Sequence, residues 1–145
     1  MKLEHSYAER PRRARGFTLL ELLVVMVIIG MLAAFVAPRY FAQVGKSQAK
    51  AAKAQITALE QALDQFRLDV GRYPSNEEGL QALTTAPASA PGWAGPYLKK
   101  AAPADPWGHP FVYAQPGTHG ELDLSSYGKD GREGGTGENA DITNW

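Results

Sequence analysis

Apolar residues run almost without interruption from Phe17 to Ala37, and the only charge in that stretch is Glu21. It contains no Asn, Gln or His. At about 1.5 Å of rise per residue, a helix of this length spans about 30 Å, the thickness of a bilayer core, so the pattern predicts a membrane-crossing helix. Pro38 closes the run. Lacking an N–H, it would free the carbonyl of Ala34 and kink or loosen the helix rather than end it, because helical periodicity resumes at once. From there the apolar positions are Ala49, Ala52, Ile56, Leu59, Leu63, Phe66 and Val70, spaced alternately three and four apart. This is a narrow stripe on one helix face. Lys46, Lys50, Lys53, Glu60, Asp64, Arg67 and Asp69 lie mostly on the other faces, and Gly71 is a natural C-cap. A helix packed on a sheet fits this stripe better than a coiled coil, which would have only three heptads with Ala at the first two positions.

Beyond the helix the pattern shortens. Ser75 followed three residues later by Glu78 is a capping box, and it predicts a short helix through Leu83 with Leu80 and Leu83 turned inward. Thr84 to Pro96, with three Pro and two Gly, reads as a loop, and Tyr97-Leu98 as a brief apolar stretch. Asp105-Pro106-Trp107-Gly108 is a turn signal. Phe111-Val112-Tyr113 reads as a strand and Pro116 to Gly120 as a hairpin loop. Leu122 and Leu124 alternate with Asp123 and Ser125, a strand with one buried face. The two strands are expected to pair antiparallel and cover the Ala49–Val70 stripe. No internal repeat appears. The fold class is α+β: a long N-terminal α-helix, half membrane and half amphipathic, packed on a small antiparallel β-sheet. The chain divides into a basic leader at 1–16, a transmembrane segment at 17–38 and a domain at 39–145. That domain comprises the amphipathic helix 39–70, a loop and short helix 71–104, and the sheet with its C-terminal loop 105–145.

Charge changes the picture modestly. The leader holds Lys2, Arg10, Arg12, Arg13 and Arg15 against Glu4 and Glu9. Subtracting these five basic and two acidic residues from 15 of each leaves 10 and 13, a net charge of −3. That balance gives no reason to expect nucleic-acid binding. The Arg cluster is better explained as a cytoplasmic flank. The bias is weak, because Arg39, Lys46, Lys50 and Lys53 follow the run closely. An ordinary secretory signal peptide is the competing reading of the N-terminus, but its apolar region is usually about 7 to 15 residues, shorter than this run. Cysteine is absent, so no disulfide is available. A domain of about 108 residues on the far side of a membrane then needs another staple, such as a metal or oligomerisation.

Two features carry candidate chemistry. Glu21 is one, since a carboxylate near the centre of a membrane helix costs about 2.5–3.5 kcal/mol. It is either a tolerated interfacial Glu or a charge waiting for a partner. Cutting after Gly16 would place an amine on Phe17, and in a neighbouring molecule's apolar zone that amine would match the carboxylate. The residues alone leave both open. The second is Gly128 to Asp141, with five Gly and four carboxylates in fourteen residues. Ca2+ takes six to eight oxygens from carboxylates and carbonyls, and Gly lets a loop fold tightly around them. The spacing is not that of an EF-hand, and a flexible solvated acidic loop is the alternative. Catalytic motifs are missing: no Gly-x-Ser-x-Gly, phosphate loop or His-Glu-x-x-His occurs. His5 lies in the leader, His109 and His119 read as surface residues, and Asp64 and Asp69 are poorly placed as a catalytic pair.

Gly16-Phe17-Thr18-Leu19-Leu20-Glu21-Leu22-Leu23, behind a basic leader, resembles the class III leader and methylation site of type IV pilins and type II secretion pseudopilins. Gly71-Arg72-Tyr73-Pro74, the Glu-Gly-Leu-Gln-Ala-Leu segment at 78–83 and Asp105-Pro106-Trp107-Gly108 narrow the resemblance to the major pseudopilins of type II secretion. The resemblance implies a pilin-like fold. It also implies that a prepilin peptidase cuts after Gly16 and methylates Phe17, that Glu21 serves recognition and subunit docking, and that Pro38 lets the helix loosen as subunits pack. It implies a C-terminal metal-binding loop with structural Ca2+ held by Asp130 of Ser126-Tyr127-Gly128-Lys129-Asp130-Gly131, by Asp141 and by the Tyr127 carbonyl. Ala140 stands where some relatives have a second Asp, so Glu138, Asn139 or a carbonyl would replace one ligand. The implied function is that of a structural subunit, not an enzyme, in a helical homopolymer in the periplasm, exporting folded proteins. Its implied partners are minor pseudopilins, an inner-membrane assembly platform with its ATPase, and an outer-membrane secretin. A type IV pilin of a surface fibre, or a membrane-anchored periplasmic binding or enzyme domain, are the other readings.

Overall fold

The computed structural model describes residues 16–145, so the leader's Lys2, Arg10, Arg12, Arg13 and Arg15 lie outside the described residues. The chain forms two compact units, Met1–Tyr40 and Phe41–Trp145. Helix α1, Leu19–Val70, contributes to both and has Pro38 inside it. A proline within a helix removes one hydrogen bond, and here the helix continues past it, as its periodicity predicts.

In the first unit no described residue is buried, and Leu19, Leu20, Met26 and Met31 are among its well-exposed apolar side chains. The helix is long and apolar enough to cross a membrane. The second unit has a core built on the expected stripe: Ala52, Ile56, Leu59, Leu63 and Phe66 are buried, joined by Ala62, while Val70 packs partly buried at its edge and Ala49 is only half-buried. Gly71 ends the helix at φ +84°, its N–H donating to the Arg67 carbonyl at 2.7 Å, a conformation that costs a residue without a Cβ little. The capping box forms reciprocally. Ser75 N–H donates to Glu78 Oε2 at 2.7 Å and Glu78 N–H to Ser75 Oγ at 3.3 Å. The helix that follows, Gly79–Leu83, is a 3₁₀ turn that buries Leu83 and half-buries Leu80.

Arg72 clamps this corner, reaching Glu78 Oε2 and Oε1 at 2.7 and 2.8 Å. The guanidinium, together with hydrogen bonds from Ser89 and Ser75 and against the opposing effect of burial, holds Glu78 down at about 2 from an ordinary 4.5. A folded-state value below the unfolded one stabilises the domain above about pH 4.5, and that contribution is lost as pH falls toward 2. Glu78→Gln is therefore expected to lower the melting temperature at neutral pH and to flatten its fall between about pH 5 and 2, read by circular dichroism melts. A parallel fall in both proteins would show that Glu78 is not a contributor.

The sheet has three strands, β1 (Val112–Ala114), β2 (Asp123–Ser126) and β3 (Ile142–Thr143), in the order β1-β2-β3. β1 and β2 pair antiparallel with Tyr113 opposite Leu124, as expected, and β3 adds antiparallel with Ser126 opposite Ile142. Two differences from the sequence expectation have local causes. β3 is two residues long, too short to present a period. β2 is buried at all four positions rather than on one face. Leu124 enters the core, while two of the polar positions are covered by turns: Asp123 accepts from Thr118 and His119 of the hairpin loop, and Ser126 Oγ donates to Asp105 at 2.6 Å. Burial raises the Asp123 value, but the hydrogen bonds from His119 and Thr118 outweigh it and leave it at about 2.

Asn144 ties the C-terminal segment to both layers. Its side chain accepts from Leu124 N–H at 2.8 Å and donates to Glu60 of α1 at 2.9 Å, and Lys53 Nζ donates to the Thr143 carbonyl at 2.6 Å. Asp64 and Asp69, set aside as a catalytic pair, instead each accept a tyrosine hydroxyl, from Tyr73 and Tyr97 respectively.

Candidate functional site

The N-terminal candidates sit at the start of α1. Gly16 is exposed and Phe17 is 82% exposed. Thr18 precedes the first helical residue, and its main-chain N–H and Oγ1 both donate to Glu21 Oε2, at 2.8 and 3.0 Å. Glu21 N–H donates back to Thr18 Oγ1 at 3.1 Å. This is a capping box: the first turn of a helix leaves N–H groups without partners, and the two side chains satisfy them reciprocally. Its sequence signal is Thr-x-x-Glu ahead of an apolar run, so Glu21 has a capping role in addition to its charge. In this chain the carboxylate has an intramolecular partner.

The C-terminal candidates lie in the loop after β2. All five of its glycines, Gly128, Gly131, Gly134, Gly135 and Gly137, have positive φ. At Gly128 a Cβ would also meet the Asn139 and Ala140 backbone at 2.9 Å. The chain therefore doubles back on itself tightly here, which only glycine permits at these angles. Tyr127 is half-buried just beyond β2. Asp130 is exposed, its Oδ1 accepting from Arg132 N–H at 3.3 Å. Asp141 Oδ2 accepts from Gly134 N–H at 2.9 Å, while its Oδ1 is buried without a hydrogen-bond partner. Glu138 is turned to Lys129 Nζ at 2.6 Å. Among the described residues, no three His, Asp or Glu side chains gather as a metal-ligand group. Any ion here would draw on two carboxylates and main-chain carbonyls, a donor set Ca2+ accepts. The orphaned Asp141 oxygen fits that use, because a buried carboxylate oxygen without a partner is costly.

A hub that the sequence did not single out supports this loop. The Asp105 side chain is wholly buried and accepts from Trp107 N–H, His109 N–H and Ser126 Oγ at 3.0, 2.8 and 2.6 Å. His109 Nδ1 meets the Gly128 carbonyl at 3.1 Å, and the imidazole lies against Gly131. His109 is thus half-buried packing rather than a surface residue, whereas His119 is exposed, stacked on Trp145 at 3.9 Å. Asp105 lacked a signal beyond its turn motif, since its partners lie up to 21 residues away.

The profile of the type II secretion system (T2SS) protein G family matches residues 39–145, and that of the prokaryotic N-terminal methylation motif matches residues 11–37. The chain belongs to the type II secretion system protein G family. It is 46% identical to the type II secretion system core protein G of Pseudomonas aeruginosa, over 92% of this chain and 96% of that protein. It is 44% identical to that of Vibrio cholerae, over 94% and 95%. The crystal structure of the major pseudopilin from the type 2 secretion system of enterohaemorrhagic Escherichia coli matches with a TM-score of 0.59 at 33% identity, covering 72% of this chain and 92% of that one. The fold is therefore that of a major pseudopilin, and the protein G family is one of structural subunits. These matches favour the pseudopilin over the surface-fibre pilin. The methylation motif on an apolar helix makes that helix a membrane anchor.

Proposed function

We propose that this chain is the subunit that polymerises through α1 into the periplasmic pseudopilus of a type II secretion system, and that the growing filament drives folded proteins through the outer-membrane secretin. The observation that carries this reading is the exposed apolar first part of α1, up to Ala37, with Glu21 as its single carboxylate, in a chain of the protein G family. Apolar surface of that extent needs lipid before assembly and neighbouring helices after it. The precursor sits in the inner membrane with the leader in the cytoplasm and residues 39–145 in the periplasm. Prepilin peptidase cuts after Gly16 and methylates Phe17. Glu21 then meets the Phe17 amine of a neighbour, and Pro38 lets the helix adjust to packing. Minor pseudopilins, the assembly platform with its ATPase and the secretin are the partners.

Ca2+ belongs to the same proposal as a structural ion. Asp130, Asp141 and the Tyr127 carbonyl would hold it, and it would supply the positively charged partner that the buried Asp141 oxygen lacks and the staple that a cysteine-free domain lacks. The glycine conformations and the orphaned oxygen support this assignment.

The test is a deletion strain with complementation, assayed side by side for extracellular enzyme activity and surface motility. Secreted enzymes trapped in the periplasm with motility intact is the expected result. Normal secretion with motility or surface fibres lost would transfer the chain to the type IV pilins.

A further inference from the structure

The first buried residue along α1 is Gly45. It lies between exposed Val44 and exposed Lys46, and what covers it is Glu138. A Cβ at Gly45 would stand 2.1 Å from Glu138 Oε1 and 2.7 Å from its Cδ and Cγ. The same side chain accepts from Lys129 Nζ at 2.6 Å through Oε2, and Lys129 N–H donates to the Glu138 carbonyl at 3.0 Å. Main chain and side chain thus join the same two residues across the neck of the loop. Asp130 follows one arm of that neck and Asp141 lies three residues beyond the other. The Glu138 carboxylate is already committed, one oxygen to an ammonium and the other against a helix. The ion pair alone is half-exposed and would contribute little to stability. Its effect is geometric, since it seats the loop on α1.

We propose that Gly45, Lys129 and Glu138 form a strut that closes the neck of the C-terminal loop and fixes it to α1, so that Glu138 positions the calcium loop and does not ligate the ion. The metal part of this statement rests on the calcium reading above. The strut itself does not.

Ca2+ is titrated calorimetrically into the full chain in detergent micelles, comparing wild type with Gly45→Ala, Lys129→Met and Glu138→Gln. Gly45→Ala meets only the end of a flexible side chain and raises helix propensity, so it dislodges Glu138 without weakening α1. Residues that orient metal ligands typically contribute about 10–100-fold to affinity, and both Gly45→Ala and Lys129→Met are expected to weaken Ca2+ by at least about tenfold. Glu138→Gln keeps the shape and an acceptor for Lys129, and is expected to stay within about threefold of wild type. If Glu138 were a ligand, the order would invert: Glu138→Gln would collapse affinity, and Lys129→Met, by removing a nearby cation, would strengthen it. That pattern overturns the proposal. A second measurement covers a wild type that takes up no Ca2+, which would end the calcium reading alone. In chelator, the Lys129 amide is expected to exchange its hydrogen about tenfold faster in Gly45→Ala than in wild type. Unchanged exchange overturns the strut.

Discussion

A Glu21→Val chain is expected to accumulate in the membrane at wild-type level, form no filaments and leave secreted enzymes in the periplasm. Replacing the carboxylate removes the one charge from the apolar segment, so insertion becomes easier by up to about 2.5–3.5 kcal/mol. On the proposed assembly, what is lost is a partner for the Phe17 amine of the next subunit. Removing one member of a buried ion pair costs about 3–5 kcal/mol, a factor of 100 or more in each subunit addition. Glu21 also caps α1 through Thr18, and losing a cap costs about 1 kcal/mol on its own account. Glu21→Gln separates the two roles, because Gln serves the capping box as Glu does but carries no charge. Filaments absent in both variants, by electron microscopy and cross-linking, assign the effect to charge. Filaments restored by Gln assign it to the cap. Filaments in both would remove Glu21 from assembly and favour a merely anchored domain.

Asp130→Ala and Asp141→Ala are each expected to abolish a calcium-dependent rise in melting temperature. At about a hundredfold excess over Kd, an ion that binds only the folded state stabilises it by about 2.7 kcal/mol, which in a domain near 100 residues raises Tm by about 10 °C. The wild-type chain should lose that increment when chelator is added, and the melting temperature of each variant should be the same with calcium and with chelator. The test has force because the two carboxylates are placed differently. Asp130 is exposed, so its removal disturbs only its 3.3 Å contact with Arg132 N–H. Asp141 has a buried, unpartnered oxygen, so its removal without metal should relieve a penalty. Melting curves that coincide with and without chelator in the wild type would remove calcium from the reading.

What could be read along the chain was whatever repeats within a turn or two. The stripe of Ala52, Ile56, Leu59, Leu63 and Phe66, the stop at Gly71, the Ser75–Glu78 box and the presence of a strand around Leu124 are each set by neighbours within four residues. Local sterics and burial periodicity decide such elements before any tertiary contact exists. The Phe17-to-Ala37 run and its Glu21 were equally legible, since bilayer thickness is a length that a sequence can match. The tertiary structure alone decided how distant segments meet. Strand β3 exists because β2 offers it an edge. Asp105 became a hub because Ser126 and two main-chain N–H groups converge on it. Glu138 faces Gly45 across more than ninety residues of chain. Contacts of that separation leave no periodic trace in the sequence. They arise when packing of the apolar stripe forces polar groups into each other's company, where an unpaired buried donor or acceptor costs more than the pairing does.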